Sequence, residues 1–180
     1  GKKCFIVTDK IIEDLGFLKI LTDKLEKFGK EYNVFKDIVP DPHEEDVMKG
    51  KDQCNEYAPD LIIALGGGSV IDTAKGIWVM YEYPEYTLNN LNPFNEQLYD
   101  FANKAKLIAI PTTSGTGSEV TWAAVISRLQ GNAWRKMSLT HMTLVPTYAI
   151  VDPIFPMGMS PNLTENTGFD ALCHSVEAYN

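Results

Sequence analysis

Short apolar runs alternate with longer stretches of helical periodicity along the first part of the chain. The runs at 3–8, 32–35 and 60–65 are rich in Val, Ile and Phe, and each predicts a β-strand. Between them, apolar side chains recur at helical spacing over residues 10–28 and 41–57, which predicts two helices. Strands and helices that alternate at this spacing predict right-handed crossovers, and therefore a parallel sheet with helices on both faces.

The second part of the chain extends this pattern and then changes character. The predicted elements are a helix after the glycines at 66–68, a surface loop over 82–104, a strand at 106–110, a hairpin of 122–127 with 135–139, and a strand at 148–151. The chain becomes loop-like at Asp152-Pro153, and a helix begins near Thr164. We therefore expect an α/β, Rossmann-like domain with a β-hairpin over residues 1–152 and the start of a second, all-helical domain over 153–180.

Composition and charge exclude several classes of partner. The chain has 180 residues, of which 44% are hydrophobic and 22% charged, as in ordinary globular proteins. Its net charge of −8 argues against binding to nucleic acid or to an anionic membrane, because both need a basic face. Neither a signal peptide nor an apolar run of membrane-spanning length is present. Cys4, Cys54 and Cys173 are scattered and odd in number, which predicts a reducing, cytoplasmic setting without disulfides.

A glycine-rich turn follows the strand predicted at 60–65. Gly66, Gly67, Gly68 and Ser69 separate this strand from a helix, so they expose backbone N–H groups at a helix N-terminus. Ser69 can serve as the N-cap residue of that helix. These features predict a binding site for a pyrophosphate group, although such a turn can also have a purely structural role in packing. The turn matches neither the G-x-G-x-x-G fingerprint nor the P-loop pattern.

A second polar turn follows the strand predicted at 106–110. It carries Thr112, Thr113, Ser114 and Thr116, together with Gly115. In isolation this pattern is typical of a solvated Ser/Thr turn. Because the carboxyl ends of parallel strands meet at one edge of a sheet, the two turns together predict a shared ligand site.

Asp9 lies at the end of the first predicted strand. A carboxylate there can accept hydrogen bonds from both hydroxyls of an adenosine ribose, and it would repel a 2′-phosphate. The alternative is that Asp9 caps the following helix. The two roles are compatible.

Asp170 and His174 form a candidate metal half-site. They are four residues apart on a predicted helix, so their side chains project from the same face. Carboxylate oxygen and imidazole nitrogen are common ligands of divalent first-row metals, although the same spacing is common in surface ion pairs. His43 lies just past a proline at a predicted helix start and His141 follows the predicted hairpin, so both are expected to be solvated or locally bonded. We therefore expect any further ligands beyond Asn180.

Three long motifs are present in the chain: DLIIALGGGSVIDTAK at 60–75, IPTTSGTGSEVT at 110–121 and TGFDALCHSVEAY at 167–179. Two shorter motifs are VTDK at 7–10 and VPDP at 39–42. Together they resemble the iron-containing, or group III, alcohol dehydrogenases, and the resemblance covers essentially the whole chain.

The resemblance implies a two-domain enzyme with its active site between a dinucleotide-binding α/β domain and a helical metal domain. It further implies that residues 1–152 lack the extreme N-terminus of the first domain and that 153–180 begin the second. The implied cofactor-binding residues are Gly67, Gly68 and Ser69 at the pyrophosphate, Thr112, Thr113 and Thr121 in the cleft, Asp9 and Asp41 on the adenosine side, and Lys136 reaching the cofactor; the implied metal ligands are Asp170 and His174.

The resemblance also implies the chemistry. Members with an aspartate at the position of Asp9 use NAD rather than NADP, and the family name indicates Fe(II), with zinc as the alternative metal. The implied reaction is hydride transfer between a small or primary alcohol, or its aldehyde, and NAD in a homo-oligomeric protein. Family members begin earlier and continue for about as long again, supplying two more histidine ligands. We therefore expect this stretch alone to bind nucleotide weakly, hold metal poorly and be inactive, and the parent protein to be active.

Two alternatives remain open from the sequence. One is a zinc enzyme of the glycerol dehydrogenase or dehydroquinate synthase type, from which the TTSGT run at 112–116 distinguishes the iron group. The other is a non-catalytic nucleotide-binding segment of a larger bifunctional aldehyde-alcohol dehydrogenase. The pairing of Asp170 with His174 argues against a purely regulatory role.

Overall fold

The computed structural model describes residues 1–39, 41–86 and 101–179. Short 3₁₀ helices cover Ser118–Val120, Met142–Leu144 and Pro156–Gly158. The strands are β1 (Lys3–Val7), β2 (Glu31–Phe35), β3 (Leu61–Gly66), β4 (Lys106–Pro111), β5 (Ala123–Gln130), β6 (Ala133–Thr140) and β7 (Tyr148–Ala149); the α-helices are α1 (Lys10–Asp14), α2 (Phe17–Lys27), α3 (Glu44–Tyr57), α4 (Gly68–Glu82) and α5 (Pro161–Tyr179).

A five-stranded sheet of order β2-β1-β3-β4-β7 forms the centre of the molecule, and all its strand pairs are parallel. One face packs on α4 through Phe5 and Ile62 of the sheet and Ala74 and Trp78 of the helix. The other face is covered by the side chains around Ile12 and by Phe155. The predicted α/β, Rossmann-like fold with helices on both faces is therefore confirmed.

The β5–β6 hairpin is a separate two-stranded sheet, as predicted. A two-residue turn at Gly131 joins its strands, and Gly131 has a φ of +63°. The inward side chains Ala124, Ile126 and Leu139 are fully buried and join the core around α4. The hairpin therefore packs on the helix that follows the glycine turn.

Several bounds of the predicted elements are wrong in the described residues, and the helix predicted from 41 begins only at Glu44. The single helix predicted over 10–28 is divided at Gly16, whose left-handed φ of +79° ends α1 and starts α2. Helix α5 begins at Pro161 rather than near Thr164, because proline is well suited to a first helical turn. The last strand is shorter than predicted, since only Tyr148–Ala149 pair with β4.

The loop predicted over 82–104 is described only at its two ends, and residues 87–100 lie outside the described part. Residue 82 still belongs to α4. The Glu82 carboxylate accepts hydrogen bonds from the backbone N–H groups of Asn103, Lys104 and Ala105, at 2.8–3.1 Å. The described end of this segment is therefore tied to the C-terminal end of α4.

Residues beyond the predicted domain boundary at Asp152-Pro153 still contact the sheet domain. The ring of Phe155 packs edge-on against Phe17, with 5.3 Å between ring centroids. The boundary itself stays a prediction.

Cys4, Cys54 and Cys173 are free thiols, and burial raises the pKa of Cys54 to about 12. Among the described helices, none has the length and apolar character needed to cross a membrane.

Candidate nucleotide site beside a metal half-site

The carboxyl ends of three neighbouring strands are tied together by hydrogen bonds. The Thr8 hydroxyl, just after β1, donates to the Leu65 carbonyl of β3 at 2.8 Å. The Thr112 N–H, just after β4, donates to the Gly66 carbonyl at 3.0 Å. The turns that follow β1, β3 and β4 therefore lie side by side, as the two-turn hypothesis predicts.

A cavity of about 620 Å³ opens at this edge of the sheet. Its volume lies within the usual range for small-molecule sites, roughly 300–1,000 Å³. The predicted site residues that line it are Asp9, Gly67, Gly68, Ser69, Thr112 and Thr113.

The glycine turn presents the N-terminus of α4 to this cavity. Gly67 is the N-cap residue of the helix and has an extended backbone, so the predicted capping role of Ser69 is wrong. Because the helix begins at Gly68, Ser69 lies in its first turn, where backbone N–H groups have no acceptor within the helix. These N–H groups and the positive end of the helix dipole favour an anionic ligand.

The glycines allow the two turns to touch. A Cβ atom on Gly67 would lie 3.2 Å from Cγ2 of Thr113, and one on Gly68 would lie 3.2 Å from Cγ2 of Thr116. On Gly66 it would lie 2.5 Å from Cγ2 of Val70, well inside van der Waals contact. Side chains at Gly67 and Gly68 would therefore push the threonine turn (residues 112–117) away from the helix N-terminus, and one at Gly66 would overlap the first turns of α4.

Thr113 contributes an unpartnered hydroxyl beside the same turn. Its Oγ1 is buried and has no hydrogen-bond partner within the part of the chain that the structure describes. A buried hydroxyl without a partner is costly, and a phosphate oxygen would supply one. The glycine turn and this hydroxyl together fit a phosphate or pyrophosphate group.

Asp9 caps helix α1 and also lines the cavity. One of its carboxylate oxygens accepts a hydrogen bond from the Ile12 N–H at 2.8 Å, which confirms the capping alternative. The second oxygen can still accept from a ligand. Ile11 and Leu15, which are exposed apolar side chains on the same short helix, line the cavity next to it.

Three predicted cofactor residues are not among those that line the cavity. Asp41 and Lys136 form an exposed ion pair with each other, with Oδ1 and Nζ 3.2 Å apart. Thr121 is bound through its carbonyl oxygen to the ammonium group of Lys75 at 2.8 Å. Their roles at the cofactor stay predictions.

Asp170 and His174 lie side by side on α5. Oδ1 of Asp170 and Nε2 of His174 are 3.6 Å apart, and both side chains are about half exposed. One turn before Asp170, Thr167 lines the cavity, so α5 passes beside the nucleotide site. Within the described ranges no three His, Cys, Asp or Glu side chains form a metal-binding group. The pair therefore supplies two suitable donors, which is half of a four-coordinate shell.

The other two histidines have local partners. His43 stacks on Trp134, with 3.9 Å between ring centroids, and Nδ1 of His141 lies 2.8 Å from Oγ1 of Thr143. These contacts agree with the local roles expected for both residues.

Two charged residues of α4 have partners that the sequence did not predict: Lys75, which is buried, and Asp72, which is partly buried. Lys75 is fully buried, and burial lowers its pKa to about 8 against the opposing effect of Asp72 and Glu119. Burial also raises the pKa of Asp72, while hydrogen bonds from Ser118 and Val125 act in the opposite direction. The sequence did contain a signal for these residues. A carboxylate and an ammonium group stand three residues apart in a helix that is mostly apolar.

Comparisons with known proteins identify the family to which this chain belongs. A family model for iron-containing alcohol dehydrogenases matches residues 1–153. The chain is 40% identical over 181 residues to the NADPH-dependent butanol dehydrogenase of Clostridium saccharobutylicum, covering 99% of this chain and 46% of that protein. It is 41% identical over 185 residues to the bifunctional aldehyde-alcohol dehydrogenase AdhE of Escherichia coli, covering 99% of this chain and 20% of that protein.

Solved structures agree as well. An iron-containing alcohol dehydrogenase from Thermococcus thioreducens matches with a TM-score of 0.88 and 33% identity, over 99% of this chain and 47% of that one. A 1,3-propanediol oxidoreductase matches with a TM-score of 0.89 and 30% identity, over 99% of this chain and 45% of that one. The chain thus spans less than half the length of each of these relatives. By the match of the family model to most of its length, the chain belongs to the iron-containing alcohol dehydrogenases.

Proposed function

We propose that the whole protein is an oxidoreductase that transfers a hydride between a small primary alcohol, or its aldehyde, and NAD. The observation that carries this proposal is the cavity at the carboxyl ends of the strands, with a glycine turn on one side and α5 on the other. A dinucleotide in the cavity would lie beside α5, the helix that carries the candidate metal ligands Asp170 and His174.

Three groups of this chain fit a bound dinucleotide. The first amides of α4, at Gly68 and Ser69, would bind the diphosphate, and Oγ1 of Thr113 would donate to one of its oxygens. Asp9 would accept hydrogen bonds from the adenosine ribose. Ile11 and Leu15 would pack against the adenine ring and exclude water from it.

Asp170 and His174 would hold the catalytic metal together with ligands from elsewhere in the whole protein. Family membership favours Fe(II), and the donor types also suit zinc. When bound, a divalent metal acts as a Lewis acid that lowers the pKa of the alcohol, and NAD accepts the hydride. The role of α5 is to fix the two donors beside the cavity.

The names of two relatives support the substrate class. One similar protein is an NADPH-dependent butanol dehydrogenase and one similar structure is a 1,3-propanediol oxidoreductase, and both names refer to short alcohols. We therefore propose short primary alcohols as substrates, in a homo-oligomeric protein.

The proposal is tested by assaying the whole protein for alcohol oxidation after purification without oxygen and reloading with Fe(II) or with Zn(II). Butan-1-ol is the substrate, NAD and NADP are compared, and the reduced nucleotide is followed by absorbance. We expect the highest rate with Fe(II) and NAD. Activity only with zinc would favour the zinc-enzyme alternative. NAD binding without activity under any metal would favour a non-catalytic nucleotide-binding segment and contradict the proposal.

Coenzyme preference is expected to depend on the charge of Asp9. In Asp9→Asn the side chain can still cap α1, but its repulsion of a 2′-phosphate is lost. We expect the ratio of kcat/KM values for NAD and NADP to fall about tenfold or more, mainly because NADP binds better. The control is Asp14→Asn, an exposed carboxylate of the same helix that does not line the cavity. An unchanged ratio in Asp9→Asn would remove Asp9 from the coenzyme site.

A further inference from the structure

We propose that Asp72 and Lys75 are positioning residues that hold the threonine turn against the glycine turn, and so set the shape of the seat for the diphosphate group. This inference rests on the proposed function, because it assumes that a dinucleotide binds in the cavity. Neither residue lines the cavity itself. Both project from α4 three residues apart, on the face that meets the segment after β4.

Asp72 binds two points of the segment after β4, Ser118 and Val125. One carboxylate oxygen accepts a hydrogen bond from the Ser118 hydroxyl at 2.6 Å, and the other accepts one from the Val125 N–H at 2.8 Å. A single side chain therefore fixes the short helix Ser118–Val120 and the start of β5 to the first two turns of α4.

Lys75 binds the residues between these two points. Its ammonium group donates to the carbonyl oxygens of Thr121 and Ala123, at 2.8 and 2.7 Å, and approaches Oγ1 of Thr121 at 3.3 Å. All three N–H bonds thus have an acceptor. Burial lowers the pKa of Lys75 only to about 8, so the ammonium form that makes these contacts is present at neutral pH.

A short series of contacts connects Asp72 to the cavity. The Ser118 N–H donates to Oγ1 of Thr116 at 3.3 Å. Thr116 lines the cavity, and a Cβ atom on Gly68 would lie only 3.2 Å from its methyl carbon. Asp72 therefore acts through Ser118 and Thr116 on the gap between the threonine turn and the N-terminus of α4.

Glu82 provides a matched comparison within the same helix. Like the partly buried Asp72, the buried Glu82 carboxylate accepts backbone N–H groups from a following segment, but it lies at the end of α4 that is remote from the cavity. A purely structural role for Asp72 would resemble that of Glu82. A positioning role differs because it would change the affinity for a diphosphate in addition to stability.

The test compares the binding of ADP-ribose, which contains a diphosphate, with that of adenosine, which contains no phosphate. Dissociation constants are measured for the whole protein by calorimetry and by NMR titration, together with the Tm of each variant. We expect Asp72→Ala and Lys75→Met to weaken ADP-ribose binding about tenfold and to leave adenosine binding within about twofold. Asp72→Asn keeps an acceptor for Val125 and a polar partner for Ser118, and should restore most of the affinity. Glu82→Ala should lower Tm without changing either dissociation constant.

The outcomes distinguish this inference from the proposed function. If the wild type binds neither NAD nor ADP-ribose, both are wrong. If the wild type binds and Asp72→Ala retains its affinity for ADP-ribose, only this inference is wrong. Equal losses for ADP-ribose and adenosine, or losses in Glu82→Ala that match those in Asp72→Ala, would also overturn it, since the effect would then follow stability alone. Should Asp72→Ala not fold, the comparison of Lys75→Met with Glu82→Ala decides in the same way, because Lys75 binds the same segment through Thr121 and Ala123.

Discussion

Asp170→Ala and His174→Ala are each expected to abolish alcohol oxidation by the whole protein while leaving its affinity for NAD within about twofold. The two donors lie 3.6 Å apart on one face of α5, so loss of either leaves the other without its partner in the proposed metal shell. Lewis-acid stabilisation is worth several kcal/mol in the transition state, which corresponds to a loss of about a thousandfold or more in kcat. NAD affinity is expected to survive because neither residue lines the cavity.

The measurement combines kcat with metal content. Each variant is assayed after reloading with Fe(II), and bound iron is determined by elemental analysis. Glu177→Ala is the control, since it removes an exposed carboxylate from the same helix and should keep both iron and activity. A variant of Asp170 or His174 that retains iron and the wild-type rate would remove the pair from the metal site.

Much of the sheet and of the nucleotide site could be predicted because their signals are local. A buried β-rich run such as 60–65 followed by three glycines defines a strand, a turn and a helix without reference to the rest of the chain. The convergence of the turns follows from parallel topology, and Asp9, Gly67 and Thr113 do line one cavity. Their roles at a cofactor stay predictions. Errors such as the undivided helix over 10–28 arose where Gly16 competed with a continuing apolar period.

The remaining parts of the site depend on contacts between distant positions. Asp72 and Lys75 meet residues 46–53 positions further along the chain, and no local pattern specifies those partners. The same holds for the contact between Gly115 and Thr167, which the hydroxyl-rich pattern at 112–116 did not predict. The sequence also did not predict that α5 passes the cavity, which the lining residues Leu163 and Thr167 show.

Gly115→Ala is expected to cause the largest loss of stability of any single-methyl addition to the threonine turn. Gly115 has a φ of +148°, and a Cβ atom there would lie 2.1 Å from the carbonyl oxygen of Thr167 in α5. Backbone strain and this overlap together should cost about 3 kcal/mol or more in the free energy of unfolding, unless the turn moves away from α5. If it moves, Thr113 and Thr116 move with it, and NAD affinity should fall by about tenfold or more.

Gly117→Ala is the matched control within the same turn. Gly117 also has a positive φ, +65°, but a Cβ atom there would meet no atom within 4 Å. Gly117→Ala should therefore lower the free energy of unfolding only by the cost of placing alanine in the left-handed region, about 1 kcal/mol. Its affinity for NAD should be unchanged. Denaturant unfolding and NAD titration of both variants measure the difference. If Gly115→Ala behaves like Gly117→Ala in both measurements, the turn does not contact α5, and the nucleotide site and the metal pair are not joined through it.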